Sequence, residues 1–277
     1  MNASPQSAPD AEREAAQRLW SAHESGQPVA PVRDLLGDTA QDSAYAVQSL
    51  NIARHLDAGR RVVGRKIGLT SAPVQRQFVV FTPDYGVLLD NMVYADREPL
   101  NLSTFLQPRI EAEVAFVLGS DLDTPTATVA DVLRATEFVL PALEIVDSRI
   151  RGWDIGITDT IADNASSGAV VLGTTPTTVN GLDLSSVGMS LEHDGDVVSN
   201  GTGAACLGSP VVAVAWLARE VARRGRFLQA GEVVISGALG PMVDVSGPGT
   251  YSARLDGLGE VRALFTTSIP AHEGAST

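Results

Sequence analysis

Two glutamates in the segment "RIEAEVAFVL" stand two residues apart, Glu111 and Glu113. Strict alternation predicts a β-strand there. Ile110, Ala112, Val114, Phe116 and Leu118 share one face, and Arg109, Glu111, Glu113, Ala115 and Val117 share the other. On a strand the two carboxylates are about 6.6 Å apart, twice the rise per residue, so both can lean onto one ion. Like charges side by side on a strand repel unless a cation joins them. A solvated strand face is the plain alternative, but Ala115 and Val117 continue the same face as apolar residues. A third acid, Glu144, lies inside the apolar run "FVLPALEIVDSRI". An unpaired ionised carboxylate is costly in such a place and needs a cation or a proton. Three carboxylates without Cys or His ligands select a hard ion, Mg²⁺ or Mn²⁺. They fill half an octahedron and leave positions for water and a chelating substrate.

The chain has one lysine, Lys66, against nineteen arginines. Coding bias is one explanation. The chemical one is that a desolvated lysine can release its proton, whereas arginine cannot. In "RVVGRKI" the face shared by Val62, Gly64, Lys66 and Gly68 flanks the lysine with two glycines. This predicts space for a ligand around the ammonium group, and nothing for a snorkelling stem to cover. The segment "SRIRGWDIGITDTIADNASSG" is expected to be a long loop that adds Asp159, Asp163, Asn164, Ser166 and Ser167. Glycines in "ISGALGP" would let backbone N–H groups approach an anion. The lone cysteine, Cys206, has no histidine nearby in sequence and reads as a small core residue.

These groups must be held by a fold, and the chain is large enough for one. It has 277 residues, 44% of them hydrophobic, so a proper core is expected. "DAEREAAQRLWSAHES" reads as a helix, as does "DTAQDSAYAVQSLNIARHLDAG", with an Asp/Thr start and a stop at Gly59. From residue 61 short β-branched runs dominate. Two helices interrupt them: "VADVLRATEF", capped by Thr128 with Asp131 closing the box, and "VVAVAWLAREVARR", opened by Ser209–Pro210 and closed by Gly225. The expected division is a small helical part over 1–60 and a β-rich α+β domain over 61–270, with the first ten and last seven residues disordered. A net charge of −13 argues against nucleic acid and anionic membranes as partners. An anionic substrate stays open, because a bound cation inverts the local field. No apolar run is expected to approach the roughly 18 residues of a span. The polar N-terminus lacks a signal peptide's apolar core, so a cytoplasmic protein is expected. One cysteine allows neither an internal disulfide nor a Cys-based zinc cage.

Taken in order, "GRKIGLTS", "TPDYGVL", "QPRIEAEVAFVLG", "PALEIVDSRI", "DTIADNASSG" and "GAACLGSPVVAVAWLA" resemble the 2-keto-4-pentenoate hydratases of the fumarylacetoacetate hydrolase superfamily, over residues 40 to 265. The resemblance implies a divalent metal on Glu111, Glu113 and Glu144, an active-site lysine at Lys66, an acid at Asp84 and a substrate-facing serine at Ser166. It implies a mixed β-roll with a small helical N-terminal domain, in homo-oligomers that are often pentamers of dimers. It implies hydration of 2-hydroxypenta-2,4-dienoate, or a methyl homologue, to 4-hydroxy-2-oxopentanoate in meta-cleavage of aromatics or steroids. The nearest alternative is 4-oxalocrotonate decarboxylase, which needs a site for a second carboxylate. Acylpyruvate or fumarylacetoacetate hydrolysis uses a His/Glu pair, and His23, His55, His193 and His272 lie outside these motifs. A non-catalytic scaffold for a decarboxylase or aldolase fits poorly with three acids and a lysine, though a complex with either partner remains compatible. One departure is the apolar loop "VQRQFVVFTPDYG": Phe78, Val79, Val80 and Phe81, with Arg76 as its only fixed charge, predict a pocket for an uncharged substrate tail.

Overall fold

A computed structural model describes residues 8–71, 75 and 82–267. Three helices come first: α1 (Asp10–Ser25), α2 (Arg33–Leu36) and α3 (Gln41–Asp57). Then follow β1 (Val62–Gly68), β2 (Asp84–Leu89), β3 (Val93–Ala95), β4 (Pro99–Asn101) and β5 (Pro108–Leu118). A short helix α4 (Val129–Ala135) leads into β6 (Thr136–Asp147), α5 (Ile157–Ala162) and β7 (Ser167–Leu172). The hairpin β8 (Gly188–His193) and β9 (Asp196–Thr202) precedes α6 (Pro210–Arg223). Last come β10 (Val233–Ile235), β11 (Val243–Asp244), β12 (Gly249–Leu255) and β13 (Gly259–Thr266).

The strands form two mixed sheets. One runs β2-β1-β10-β5-β6-β7-β3, with β11 also paired to β5, and the other runs β4-β13-β12-β8-β9. Strands β12 and β13 pack across β6, so β6 is covered on one side by the second sheet. Helix α6 buries Val211, Val214, Leu217, Ala218 and Val221 in the main core. The segment Gly203–Arg223 has the length and mean hydropathy, 1.3, of a membrane span, which its residues read singly did not suggest; half of that window is buried inside the fold.

Local chemistry explains most element ends. Thr128 accepts from the Asp131 N–H while the Asp131 carboxylate accepts from the Thr128 N–H, the expected capping box. The helix it starts is shorter than expected. It stops at Ala135, and "TEF" begins β6, because the β5 ladder claims that stretch. The Asp/Thr start expected for α3 is not used: Ala40 precedes it, with no side-chain cap. The stretch expected as a long loop contains α5, whose six residues are all buried. Asp159, at its first turn, accepts from the backbone N–H groups of Val32, Arg33 and Gly156 and pairs with Arg33 at 2.6 Å. Buried and fully occupied, Asp159 ties α2 to α5 and is not free to serve a site.

The glycine beside β10 has a packing role. A Cβ at Gly64 would overlap the Val233 carbonyl, so strands β1 and β10 meet there only because residue 64 lacks one. We expect Gly64→Ala to cost about 1–3 kcal/mol by overpacking, which lowers the unfolding midpoint by about 2–4 °C per kcal/mol in a chain of this size. Differential scanning calorimetry checks this; an unchanged midpoint would mean that the two strands part without cost.

Candidate active site

The central antiparallel pair β5/β6 places Glu111 directly opposite Glu144. Glu113, two residues along β5, points to the same face. One carboxylate oxygen from each of Glu111, Glu113 and Glu144 lies within 4.8 Å of the others. Glu113 and Glu144 are fully buried, and Glu111 is half-buried at the mouth. Strand β1 brings Lys66 over the same face, where Nζ lies 3.1 Å from Glu144 Oε1. That contact is a charge pair without hydrogen-bond alignment. Glu113 Oε2 accepts from the Gly237 N–H at 2.7 Å, so the late glycine segment brings a backbone donor to an anion of the chain itself.

Asp84 opens β2, buried beside the lysine. Its Oδ2 accepts from the Thr160 hydroxyl at 2.9 Å, and its Oδ1 has no hydrogen-bond partner. Expected space at the glycines is differently used. A Cβ at Gly68 would meet Asp84 Oδ1 and then Lys66 Nζ, and one at Gly64 would meet backbone. The gap at Gly68 therefore admits the aspartate rather than a ligand. A Cβ at Gly86, opposite Lys66 on β2, would run into Asn164 O and Ser167 Oγ.

Ser166 reaches the site through an unusual turn. Asn164, Ala165 and Ser166 have φ values of 55°, 51° and 53°, three left-handed residues in succession. The Asn164 carboxamide holds this turn by accepting from the Val87 N–H (2.7 Å) and donating to the Val87 carbonyl (2.9 Å). Ser166 is buried and lines, with Lys66, Asp84, Glu111 and Thr160, a cavity of about 50 Å³. Leu69, Val146, Trp153, Ile155 and Met242 form its apolar part. Asp163, grouped with these residues in sequence, instead pairs with Arg149 at 2.5 Å. The apolar loop residues Phe78, Val79, Val80 and Phe81, and Arg76, lie outside the described residues. So does His272. His23 and His55 pack around Trp20, and His193 stacks on Tyr251, all away from the cavity. Cys206 is buried and contacts the Ser236 carbonyl at 2.8 Å; burial pushes its thiol up to about 12, as suits a core residue. Thr160 and Trp153 have no role in the sequence reading, since a six-residue helix shows no usable period; Asn164 reads there only as a polar loop residue, since its clamp to β2 crosses 77 residues.

Electrostatics set this cluster apart. Burial, and then the Glu144 charge, raise Glu111 to about 7 and Glu113 well above the usual carboxylate range; burial also raises Glu144 and Asp84. Burial works against the charge on Lys66, but Glu144, Asp84, Glu111 and Glu113 overcome it and push the group up to about 12. With these acids unneutralised, the lysine is held as an ammonium. Four acids face one cation, and Glu113 Oε1 and Glu144 Oε2 have no hydrogen-bond partner. Buried oxygens of this kind need a counter-ion. The all-oxygen donor set, with bare lone pairs converging from two strands, fits a hard divalent ion.

The sequence pattern described as Fumarylacetoacetate (FAA) hydrolase C-terminal matches residues 46–266. A 2-keto-4-pentenoate hydratase of Paraburkholderia xenovorans strain LB400 is 54% identical over 94% of this chain and 97% of its own. The TodF product hydratase of Pseudomonas putida F1 is 56% identical over 91% of this chain and 94% of its own. Among solved structures, the 4-oxalocrotonate decarboxylase of Pseudomonas putida G7, complexed with magnesium and adipate, superposes with a TM-score of 0.87 at 33% identity, covering 92% of this chain and 97% of that one. Fold and carboxylate cluster together define a fumarylacetoacetate hydrolase-type α+β protein. The chain belongs to that superfamily and, within it, to the family of the 2-keto-4-pentenoate hydratases.

Because protons compete with an ion for raised carboxylates, ion affinity should rise with pH through about 7 and fall below it. The sign follows for stability: neutral acids favour the ion-free fold at low pH, and that contribution is lost as pH rises. We expect Mg²⁺ or Mn²⁺ to raise the melting temperature more at pH 8 than at pH 5.5, with EDTA reversing the effect. At a hundred-fold excess over Kd the gain is about 2.7 kcal/mol. Glu144→Gln should abolish most of it; an equal shift in that variant would exclude Glu144 as a ligand.

Proposed function

We propose that this chain is a metal-dependent hydro-lyase that adds water to 2-hydroxypenta-2,4-dienoate, or its methyl homologue, to give 4-hydroxy-2-oxopentanoate. The observation that carries the reading is Lys66 Nζ, 3.1 Å from Glu144 and facing Asp84, on the polar wall of a cavity whose other wall is apolar. Its identity to hydratases over nearly the whole chain supports the reaction class. Glu111, Glu113 and Glu144 are the proposed ligands, and Mg²⁺ or Mn²⁺ the proposed ion. Bound there, the ion would supply Lewis acidity toward the carboxylate and 2-oxygen of a 2-oxo acid.

The rest of the chemistry falls to side chains. The substrate's 2-hydroxyl loses a proton and C5 gains one, which gives a 3-ene-2-ketone. Water oxygen then bonds to C4 while C3 takes a proton, so one water is consumed in all. Lys66 presents a fixed positive charge where the 2-oxygen becomes negative, the preorganised stabilisation most effective in a dry site. Asp84 is the proton-carrying candidate. Thr160 occupies Oδ2, so Oδ1 is the free atom, and burial has already moved its carboxyl upward. Ser166, held at the cavity by the left-handed turn, is the proposed group that orients the attacking water. The family resemblance extends the proposal to a cytoplasmic homo-oligomer, with a pathway decarboxylase or aldolase as a compatible partner.

A decarboxylase reading draws on the likeness to the Pseudomonas putida G7 enzyme. It needs a second cation for a dicarboxylate. Among the described residues lining the cavity, Lys66 is the only one.

The test uses purified protein, Mg²⁺ and enzymically generated 2-hydroxypenta-2,4-dienoate, and follows loss of dienol absorbance. Rapid CO₂ release from 2-oxohex-3-enedioate, with little turnover of the monocarboxylate, would overturn the reading. Lys66→Met should reduce kcat by about 10²–10³-fold. Lys66→Arg should be nearly as poor, because a planar guanidinium cannot occupy a slot already shared with Asp84. An arginine variant with near wild-type turnover would show that charge alone matters.

A further inference from the structure

We propose that Trp153 is the specificity-determining wall of the cavity and that it sets the longest substrate tail accepted. This rests on the hydratase reading and names which homologues the site takes. Trp153 lies on the segment between β6 and α5, and is the largest apolar side chain lining the cavity. Its backbone is left-handed, φ 56°, immediately after Gly152 at φ 64°. A tryptophan adopts that conformation only when its surroundings impose it.

What imposes it is visible. The indole N–H donates to the Gln107 carbonyl at 3.1 Å. The Gln107 side chain accepts from the Gly152 N–H at 2.7 Å and donates to the carbonyls of Ser148 and Ile150 at 2.9 and 2.8 Å. One glutamine thus holds both the ring and the chain that leads into it. On the ring's face lies the Arg109 guanidinium, 4.3 Å from the centroid. Arg109 is itself held by Asp244 at 2.7 Å, and it touches the sulfur of Met242, another cavity residue, at 3.6 Å. Gln107 and Arg109 lie shortly before Glu111 along the chain, Arg109 on the same face of β5. The strand that presents the carboxylates therefore also holds the tryptophan wall in place.

That coupling gives the wall its function. The anionic end of the substrate is drawn to Lys66 and to the ion that the carboxylates would hold, and its apolar end is left facing Trp153 and Met242. Because ring and backbone are braced, an added methylene cannot be absorbed by a rotamer change, and a bulky tail meets a rigid surface. Arg109 acts through Trp153 as a positioning residue. Paired to Asp244 and stacked on the ring, it is not free to meet a second carboxylate.

The experiment compares wild type, Trp153→Ala, Trp153→Phe and Arg109→Leu on 2-hydroxypenta-2,4-dienoate, 2-hydroxyhexa-2,4-dienoate and 2-hydroxyocta-2,4-dienoate. Trp153→Ala should raise the octadienoate-to-pentadienoate ratio of kcat/KM by at least about ten-fold, the scale of pocket discrimination by methylenes. Trp153→Phe should lie between, and Arg109→Leu should shift the ratio in the same direction by raising KM for the short substrate. Parallel losses on all three substrates, with the ratios unchanged, would make Trp153 merely structural and overturn the proposal. Calorimetric binding of 2-oxopentanoate and 2-oxooctanoate, with Mg²⁺ present, repeats the comparison without turnover. If the wild type hydrates none of the dienoates, the hydratase reading fails by itself. The wall is then judged by whether Trp153→Ala removes a binding preference for the shorter acid, and no such change overturns it.

Discussion

Two glutamates face each other across one rung of the β5/β6 ladder, and a third stands beside them, two of the three fully buried and Glu111 half-buried. That arrangement is unfavourable by itself, since like charges opposed on a sheet repel and burial denies them water. The rest of the site answers this constraint. Lys66 neutralises part of the charge, Gly237 lends a backbone N–H, and protons or a divalent ion must supply the remainder. The same unbalanced charge keeps Lys66 protonated. The carboxylates and the ammonium therefore form one unit, and neither acts as it would alone.

Around that unit the fold spends its irregular features on bracing. Asp159 takes three backbone donors and an arginine, and so fixes the short helix that carries Thr160 against Asp84. Asn164 borrows both backbone groups of Val87 and holds three left-handed residues that end in Ser166. Gln107 does similar work for Trp153. Strain of this kind persists only where surrounding bonds over-determine it, and here it borders the cavity on two sides. The N-terminal helices enter the same scheme. Gln48 of α3 donates to the carbonyls of Tyr85 and Ile161, one residue from Asp84 and from Thr160 respectively.

Much of this was legible in the residues alone. Alternation in "RIEAEVAFVL" fixed the faces of β5, and the apolar surroundings of Glu144 marked a buried acid that needs a partner, because period and polarity are local properties of a chain. The Thr128–Asp131 box was equally local. Tertiary structure alone decided the cross-strand register that sets Glu111 against Glu144, since a slip of one residue would turn Glu144 to the other face. It decided that the space at Gly68 belongs to Asp84, and that Asp159 and Asp163, neighbours of Thr160 and Ser166 in sequence, are committed to Arg33 and Arg149 instead. It also ended α4 early, because pairing with β5 outweighs the helical preference of a few residues. Residue types determined which chemistry was available. Contacts between segments many residues apart determined which acids remained without a partner, and a single sequence does not encode those distances in any local pattern.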